Sequence, residues 1–319
     1  PVAVLQTTQS ACEDCGKRGS RACGAGRNTE DVPFHNTSLT FRLAPALGVL
    51  AVGGLIATDA RAQGRVDAQY EVTLAGIPLG KGSWVVDIAE DQYSALGSGK
   101  TTGLISMIST GEGVGGAQGR VVRGQLAPSA YSVTMKTNKK VEVLKIALAN
   151  GNVKDFSIEP EPPVHPDRIP VTEAHKRGVT DPMTGSLLRV PGNGDPVAPG
   201  ACASGQAVFD GRMRYDLKLS FKRFESVHAN RGYEGPVTVC AVQFFPLSGY
   251  VPHRHAIIYL KDLRDAEVWL APIAGTRVLV PYKFLLPTPF GTGVLEATQF
   301  VSVPSAGQAR TTPTSARVD

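Results

Sequence analysis

From Arg212 to Lys222 the sequence alternates with a strict period of two. Met213, Tyr215, Leu217, Leu219 and Phe221 fall on one side; Arg212, Arg214, Asp216, Lys218 and Lys222 fall on the other. Successive side chains of a strand point to opposite faces, whereas a helix brings together positions three and four apart. The stretch is therefore predicted as a strand with one face on a core and the other in water. A strand of this kind needs neighbours, and that requirement constrains how the rest of the chain folds.

Tyr70 to Leu74 and Gly80 to Ile88 read as strands joined by Ala75-Gly76-Ile77-Pro78, and Gln92 to Lys100 follows the Glu90-Asp91 turn. Thr102 to Ile108 is predicted as one helical turn, and Gly111, Gly113, Gly115, Gly116 and Gly119 predict a loose or bulged region. Tyr131 to Met135, Val141 to Leu148 and Val153 to Ile158 are the next strands, with Leu144, Ile146 and Leu148 on one face. Asn150-Gly151 is a hairpin turn, since both residues must accept positive φ. Five prolines make Glu159 to Pro170 an extended connector. Thr172 is predicted to cap a short helix through Lys176, and Asp181-Pro182 to start a second, with Leu187 and Leu188 facing the sheet. Asp210-Gly211 turns into the alternating strand, and Val237 to Phe245, apolar on both faces, is central. Glu267 to Leu270 and Val278 to Leu286 pair around Ala274-Gly275-Thr276, and Thr292 to Val303 is the last strand. About a dozen strands at hairpin spacing predict an all-β antiparallel domain with two short helices. So many strands favour a curled sheet or an incompletely closed barrel, because curling hides edges.

The front of the chain carries a different signal. Arg42 precedes the uncharged run Leu43 to Thr58, and Ala60-Arg61-Ala62 follows before Gln63. A positive residue, an apolar stretch and an Ala-x-Ala ending are the parts of a secretory signal peptide, here residues 41–62 with cleavage after Ala62. The run is shorter than the roughly 20 residues of a spanning helix. Residues 1–40 contain no Met, the first being Met107, so initiation at Val32 through an alternative codon is expected, with the upstream segment non-native or disordered. Cys12, Cys15, Cys23 and His35 lie there with irregular spacing, and no zinc site is expected of them. The expected mature chain is a β-rich domain over 63–304 with a polar tail over 305–319. It retains only Cys202 and Cys240, and an exported chain with two cysteines predicts one disulfide. The net charge of +5 becomes +4 when the front's six Lys/Arg and five Asp/Glu are removed. That charge is spread without a basic block interleaved with aromatics, which excludes nucleic acid as a partner. Nothing after Ala62 is long and apolar enough to be an integral membrane span.

Motifs for chemistry are sparse. Gly97-Ser98-Gly99-Lys100-Thr101 ends like a phosphate loop, but Ser94 occupies the first glycine position and no helix follows. It reads as a strand, and no nucleotide is expected. His253-Arg254-His255 places two imidazoles on one side if extended, half a metal site without a third ligand nearby. Glu173 and His175, two apart on a short helix, face different ways and do not cooperate as acid and base. No G-x-S-x-G elbow is present. No catalytic residue and no cofactor are assigned. A concave apolar face with Tyr250, Arg254 and Tyr259 on its rim is the remaining candidate site, against a sheet filled by its own side chains.

Tyr70-Glu71-Val72 with Gly76 and Gly80, Thr101-Thr102-Gly103-Leu104 and Pro170-Val171-Thr172-Glu173 begin an ordered set of short motifs. Asp181-Pro182, Phe209-Asp210-Gly211-Arg212, Tyr233 with Gly235-Pro236, and Cys240 continue it. Pro246-Leu247-Ser248-Gly249-Tyr250, Glu267-Val268-Trp269-Leu270-Ala271-Pro272 and Pro287-Thr288-Pro289-Phe290-Gly291 complete it. As a set, these resemble a proteobacterial family of exported proteins, domain of unknown function 3108. The resemblance implies an envelope location and a β-rich fold and supplies no catalytic residues. The expected function is a non-enzymatic periplasmic protein that supports envelope integrity by binding an apolar ligand, lipid or polypeptide segment. The alternatives are a metal-dependent envelope hydrolase using His253 and His255, and a structural partner of another envelope protein.

Overall fold

In a computed structural model, residues 63–103, 110–203 and 205–305 are described. The upstream segment, residues 41–62, most of the turn expected over Thr102 to Ile108 and the tail beyond 305 lie outside them.

Two antiparallel meanders make one 15-stranded sheet. The first runs β1 (Gly64–Leu74), β2 (Ile77–Ile88), β3 (Gln92–Thr101), β4 (Gly111–Val122), β5 (Gln125–Thr137), β6 (Val141–Ala149) and β7 (Asn152–Glu159), each paired with the next. Three of its hairpins turn through two residues that both hold positive φ: Ala75-Gly76, Arg123-Gly124 and Asn150-Gly151. Turns of that sense match the right-handed twist of the flanking strands. The second meander contains β9 (Gln206–Phe209), β10 (Arg214–His228), β12 (Glu234–Ser248), β13 (Glu267–Pro272), β14 (Val278–Thr288) and β15 (Gly291–Pro304). Strand β15 pairs along the whole of β1, from Gly64↔Pro304 to Leu74↔Gly293, and this seam joins the meanders. The short β8 (Leu188–Arg189) adds to β14, and β11 (Arg231–Gly232) runs parallel to β15.

The sheet is curled and not closed, with β7 and β9 at its two ends. The connector between the meanders spans the gap. Asn152 of β7 bridges Arg177, the Val179 amide donates to the Gly151 carbonyl at 2.8 Å, and Thr180 exchanges two bonds with Ala207 and Phe209 at 2.9 Å each. Backbone groups that would otherwise form an open edge are thereby satisfied.

Where the sequence predicts the faces, most are observed. Leu144, Ile146 and Leu148 of β6 are buried, as are Leu187 and Leu188, and Val237 to Cys240 are buried in succession as expected of a central strand. Two expectations are corrected. Arg212 and Met213 do not belong to the alternating strand, because their amides are held by the Asp210 carboxylate at 2.8 and 2.7 Å in a turn that delays β10 to Arg214. A bulge between Phe221 and Arg223 then shifts the alternation, and Phe221 is 40% exposed. The glycine-rich stretch after Gly111 is not loose: it is the regular strand β4, with one bulge at Gln118/Gly119. Of the two expected helices, the Thr172-capped one is a 3-10 turn, Glu173–Lys176. The other is α1 (Pro182–Gly185), capped by the Asp181 carboxylate. A further helix, α2 (His255–Asp262), was not expected; it has no buried residue, its Ile257, Tyr259 and Leu260 being only half-buried.

Cys202, on a 3-10 turn of the connector, is bonded to Cys240 of β12 with 5.6 Å between Cα atoms. Leu188, Val190, Ala201, Val268, Leu270 and Leu279 bury the bridge. For a loop of 38 residues, the chain-entropy model gives about 4 kcal/mol of stabilisation. Reduction, or Cys240→Ser, is expected to lower the unfolding free energy by an amount approaching that figure, read in a urea titration as a lower midpoint.

Glu267 is 8% exposed and receives Lys222 at 2.6 Å, both Arg223 Nη atoms at 3.0 Å and the Trp269 indole at 3.3 Å. Arg223 above all, then Lys222 and Trp269, hold its carboxyl down at about 2 against the opposing effect of burial. A depressed folded value means the stabilisation is present above the ordinary 4.5 and disappears as pH falls toward 2. Glu267→Gln is expected to lose about 2 kcal/mol at pH 7. In urea titrations the deficit relative to wild type should shrink as pH is lowered from 5 to 2.5.

Candidate functional site

The register across β2, β3 and β4 fixes which side chains point inward. Val86, Ala95 and Ala117 form one buried row through the pairs Val86↔Ala95↔Ala117. Two residues further along each strand, the inward row is Trp84↔Gly97↔Gly115, and two further it is Gly82↔Gly99↔Gly113. The next inward positions are Gly80, Thr101 and Gly111. One end of the curled sheet is thus filled by Val66, Val86, Ile88, Tyr93 and Ala95, while at the other end three adjacent strands present glycine to the interior. Side chains are missing there, and a cavity of about 810 Å³ takes their place.

Apolar groups from other elements surround that glycine wall. Tyr70 and Val72 come from β1, Tyr131, Val133 and Met135 from β5, Pro281 from β14 and Leu295 from β15, with Trp84 beside them. Pro182, Met183 and Ser186 reach the cavity from α1 and its C-terminal flank. A hollow of this size with an apolar lining is the form that small-molecule sites take. The alternate positions of the same wall carry charge, and Lys81, Lys100, Glu112 and Lys136 also border the hollow. Lys81↔Lys100, Lys100↔Glu112 and Glu112↔Lys136 run across it in register, with Lys136 and Glu112 ion-paired at 3.1 Å.

Polar groups beneath the lining are fixed rather than reactive. The Tyr70 hydroxyl donates to the Pro281 carbonyl at 2.7 Å, and burial raises its pKa. Tyr131 is pushed up to about 12 by burial first, then by the negative charges of Asp181 and Asp210. Tyr93 and Thr184 share a hydrogen bond of 2.7 Å. Asp181 is fully buried, and its Oδ1 accepts from the Met183 and Thr184 amides at 3.0 and 2.9 Å, while Oδ2 has no partner. Burial raises its pKa against those bonds. Nothing in this set pairs a nucleophile with a base.

The residues singled out in the sequence are dispersed. Gly97 to Thr101 lie in β3, as the strand reading requires, and Gly97 and Gly99 are part of the cavity wall. The three proposed rim residues do not line the hollow. The Tyr250 carbonyl accepts from the Ile169 amide, Arg254 is the N-cap of α2, and the Tyr259 hydroxyl donates to the Pro287 carbonyl at 3.0 Å. Helix α2 forms where an extended segment was assumed, and it draws them away. It also separates His255, its first residue, from His253, so the two imidazoles do not form a pair; His253 instead lies 3.8 Å from Asp167. Glu173 is bonded to Lys176 at 2.8 Å and His175 accepts from the Thr172 amide, both structural roles. Missing from the sequence reading was the meaning of Gly80-x-Gly82, Gly97-x-Gly99 and Gly111-x-Gly113-x-Gly115. Glycine at period two is a statement about one face of a strand, and this signal was available.

The Asp181 carboxylate separates two effects, helix capping and burial of charge. Asp181→Asn keeps an acceptor for the amides and removes the charge, so stability at pH 7 is expected to equal or exceed wild type. Asp181→Ala should lose about 1 kcal/mol. Thermal denaturation of the two variants checks the order.

Residues 69–298 match a family model described as "Protein of unknown function (DUF3108)". Among solved structures, the chain is similar to the crystal structure of a β-barrel-like protein of the domain of unknown function DUF1849 from Brucella abortus. That similarity has 8% identity and a TM-score of 0.40, covering 76% of this chain and 98% of that one. No curated protein matches.

Proposed function

This chain belongs to the DUF3108 family, whose description assigns no activity, and we propose that it is a non-enzymatic binding protein whose glycine-walled hollow holds an elongated apolar ligand such as a lipid acyl chain. The observation that carries this reading is the coincidence of inward glycines on three adjacent strands with an apolar cavity of about 810 Å³. Glycine weakens a strand because it contributes no packing and costs backbone entropy. A fold that places so many on one interior face gives up core there, and a ligand of matching shape restores the buried contacts. The backbone of that wall is already hydrogen-bonded within the sheet, so it favours an occupant with few polar groups of its own.

The envelope is the proposed compartment. Support comes from the signal-peptide pattern at residues 41–62 and the Cys202–Cys240 bond. A role in envelope integrity follows as the proposed biological use of an apolar-ligand carrier in that compartment.

Gly99 and Gly113 have room for a side chain: a Cβ at Gly99 would meet only Lys81 O at 3.8 Å, and one at Gly113 only Thr134 O at 3.7 Å and Met135 Cγ at 3.9 Å. Gly99→Leu and Gly113→Leu should fold and fill the hollow. The test titrates wild type and both variants with a fluorescent long-chain fatty acid and extracts purified protein for co-purifying lipid. Binding by wild type and at least a tenfold loss in the folded variants is expected. No binding by wild type, or equal binding by all three, overturns the proposal; displacement by an apolar peptide but not by lipid redirects it to polypeptide.

A further inference from the structure

A second constellation lies outside the hollow. Two loops far apart in sequence are laced together by their backbones. The Ile169 amide donates to the Tyr250 carbonyl at 2.9 Å, the Gly249 amide donates to the Ile169 carbonyl at 2.8 Å, and the Arg168 guanidinium donates to the Gly249 carbonyl at 2.8 Å. This lacing brings His165 and Asp167 of the proline-rich connector against His253 of the turn that precedes α2. One ring nitrogen of each imidazole and one carboxylate oxygen of Asp167 lie within 4.8 Å of one another. His253 Nε2 and Asp167 Oδ2 are 3.8 Å apart, and the two rings are 6.1 Å apart between centroids.

We propose that His165, Asp167 and His253 form a binding site for a zinc-class divalent cation. Two imidazoles and one carboxylate are a donor set suited to first-row divalent metals. In tetrahedral coordination at about 2.0–2.2 Å, ligand atoms sit roughly 3.4 Å from one another. The observed separations, 3.8 Å for one pair and within 4.8 Å for all, need contractions of up to about 1.4 Å, which exposed and half-exposed side chains reach by torsional changes. The scaffold restricts the site: Pro166 follows His165 and Pro163 lies two residues before it, which limits the backbone, and the lacing ties the second loop to the first. Three protein ligands leave a fourth position for water or for a donor from another molecule. His255 is excluded because α2 begins with it, so the pair legible in the sequence exchanges one member for two residues of the connector.

The test measures zinc binding to the purified full-length protein by titration against a chromophoric chelator, with metal content determined after dialysis. Because Cys12, Cys15, Cys23 and His35 also offer zinc ligands in the full chain, the decisive quantity is the difference between variants. His253→Ala and Asp167→Ala are each expected to lose one zinc equivalent or to weaken that site by more than about 100-fold. Such a loss exceeds the roughly 10–100-fold effect of removing a residue that only orients a ligand. His255→Ala should leave stoichiometry and affinity unchanged. His253 and Asp167 are exposed, and an unchanged melting temperature of the metal-free variants will confirm that they fold. Equal zinc content in wild type, His253→Ala and Asp167→Ala, or loss with His255→Ala alone, overturns the assignment.

Discussion

The pairing of β1 with β15 is the interaction on which the rest of the structure depends. It brings Gly64 to Pro304 and Leu74 to Gly293, so residues near the two ends of the described chain lie side by side. Without it the chain is two separate meanders, each with an unsatisfied strand at one side. With it, Tyr70 and Val72 of the first meander stand beside Ala297 and Leu295 of the second, and the cavity gains the wall opposite its glycines. Contacts of such sequence separation form late and slowly, since a long loop must close before any of them stabilises the fold.

That seam also explains where stability resides. At the filled end the interior carries Val66, Val86, Ile88, Tyr93 and Phe300, and side-chain burial does the stabilising. At the hollow end the wall relies on ladder hydrogen bonds and on clamps from outside the glycine strands. Asp181 caps α1 next to Met183, which touches the lining, and the Asp210 turn carries Arg212 to the buried Glu142 at 2.6 Å. The disulfide ties the connector to β12. Wall backbone already held by ladder bonds and clamps has less freedom to lose on binding, a loss that would subtract from affinity.

Much of the fold was legible in the sequence, and the reasons differ from element to element. Val141 to Leu148 and Val237 to Phe245 were readable because burial on one face or both leaves a direct mark on residue type. The Asn150-Gly151 turn was readable because its backbone conformation restricts which residues fit. Gly111 to Gly119 reads as loose or bulged because glycine weakens strands in general; the bulge is there, at Gln118/Gly119, but only the strand's position beside β3 and β5 reveals that its bare face lines a hollow. The break of β10 at Phe221 was invisible for a related reason. A bulge inserts one residue into the pairing without altering the sequence pattern that precedes it.

The candidate sites divide along the same line. The hollow is written as period two in glycine, a local pattern on three consecutive strands, and so belongs to what a sequence can show. The histidine cluster is written nowhere locally: His165 and His253 meet because the backbone of Ile169 donates to Tyr250 and accepts from Gly249, and those groups are common to every residue type. Proximity produced by backbone pairing leaves no trace in the identity of the paired residues. For that reason the sequence points first to His253 and His255, two apart in the chain, although the helix that starts at His255 parts them. Side-chain chemistry names the ligands, but the topology of one sheet built from two meanders decides which of them ever meet.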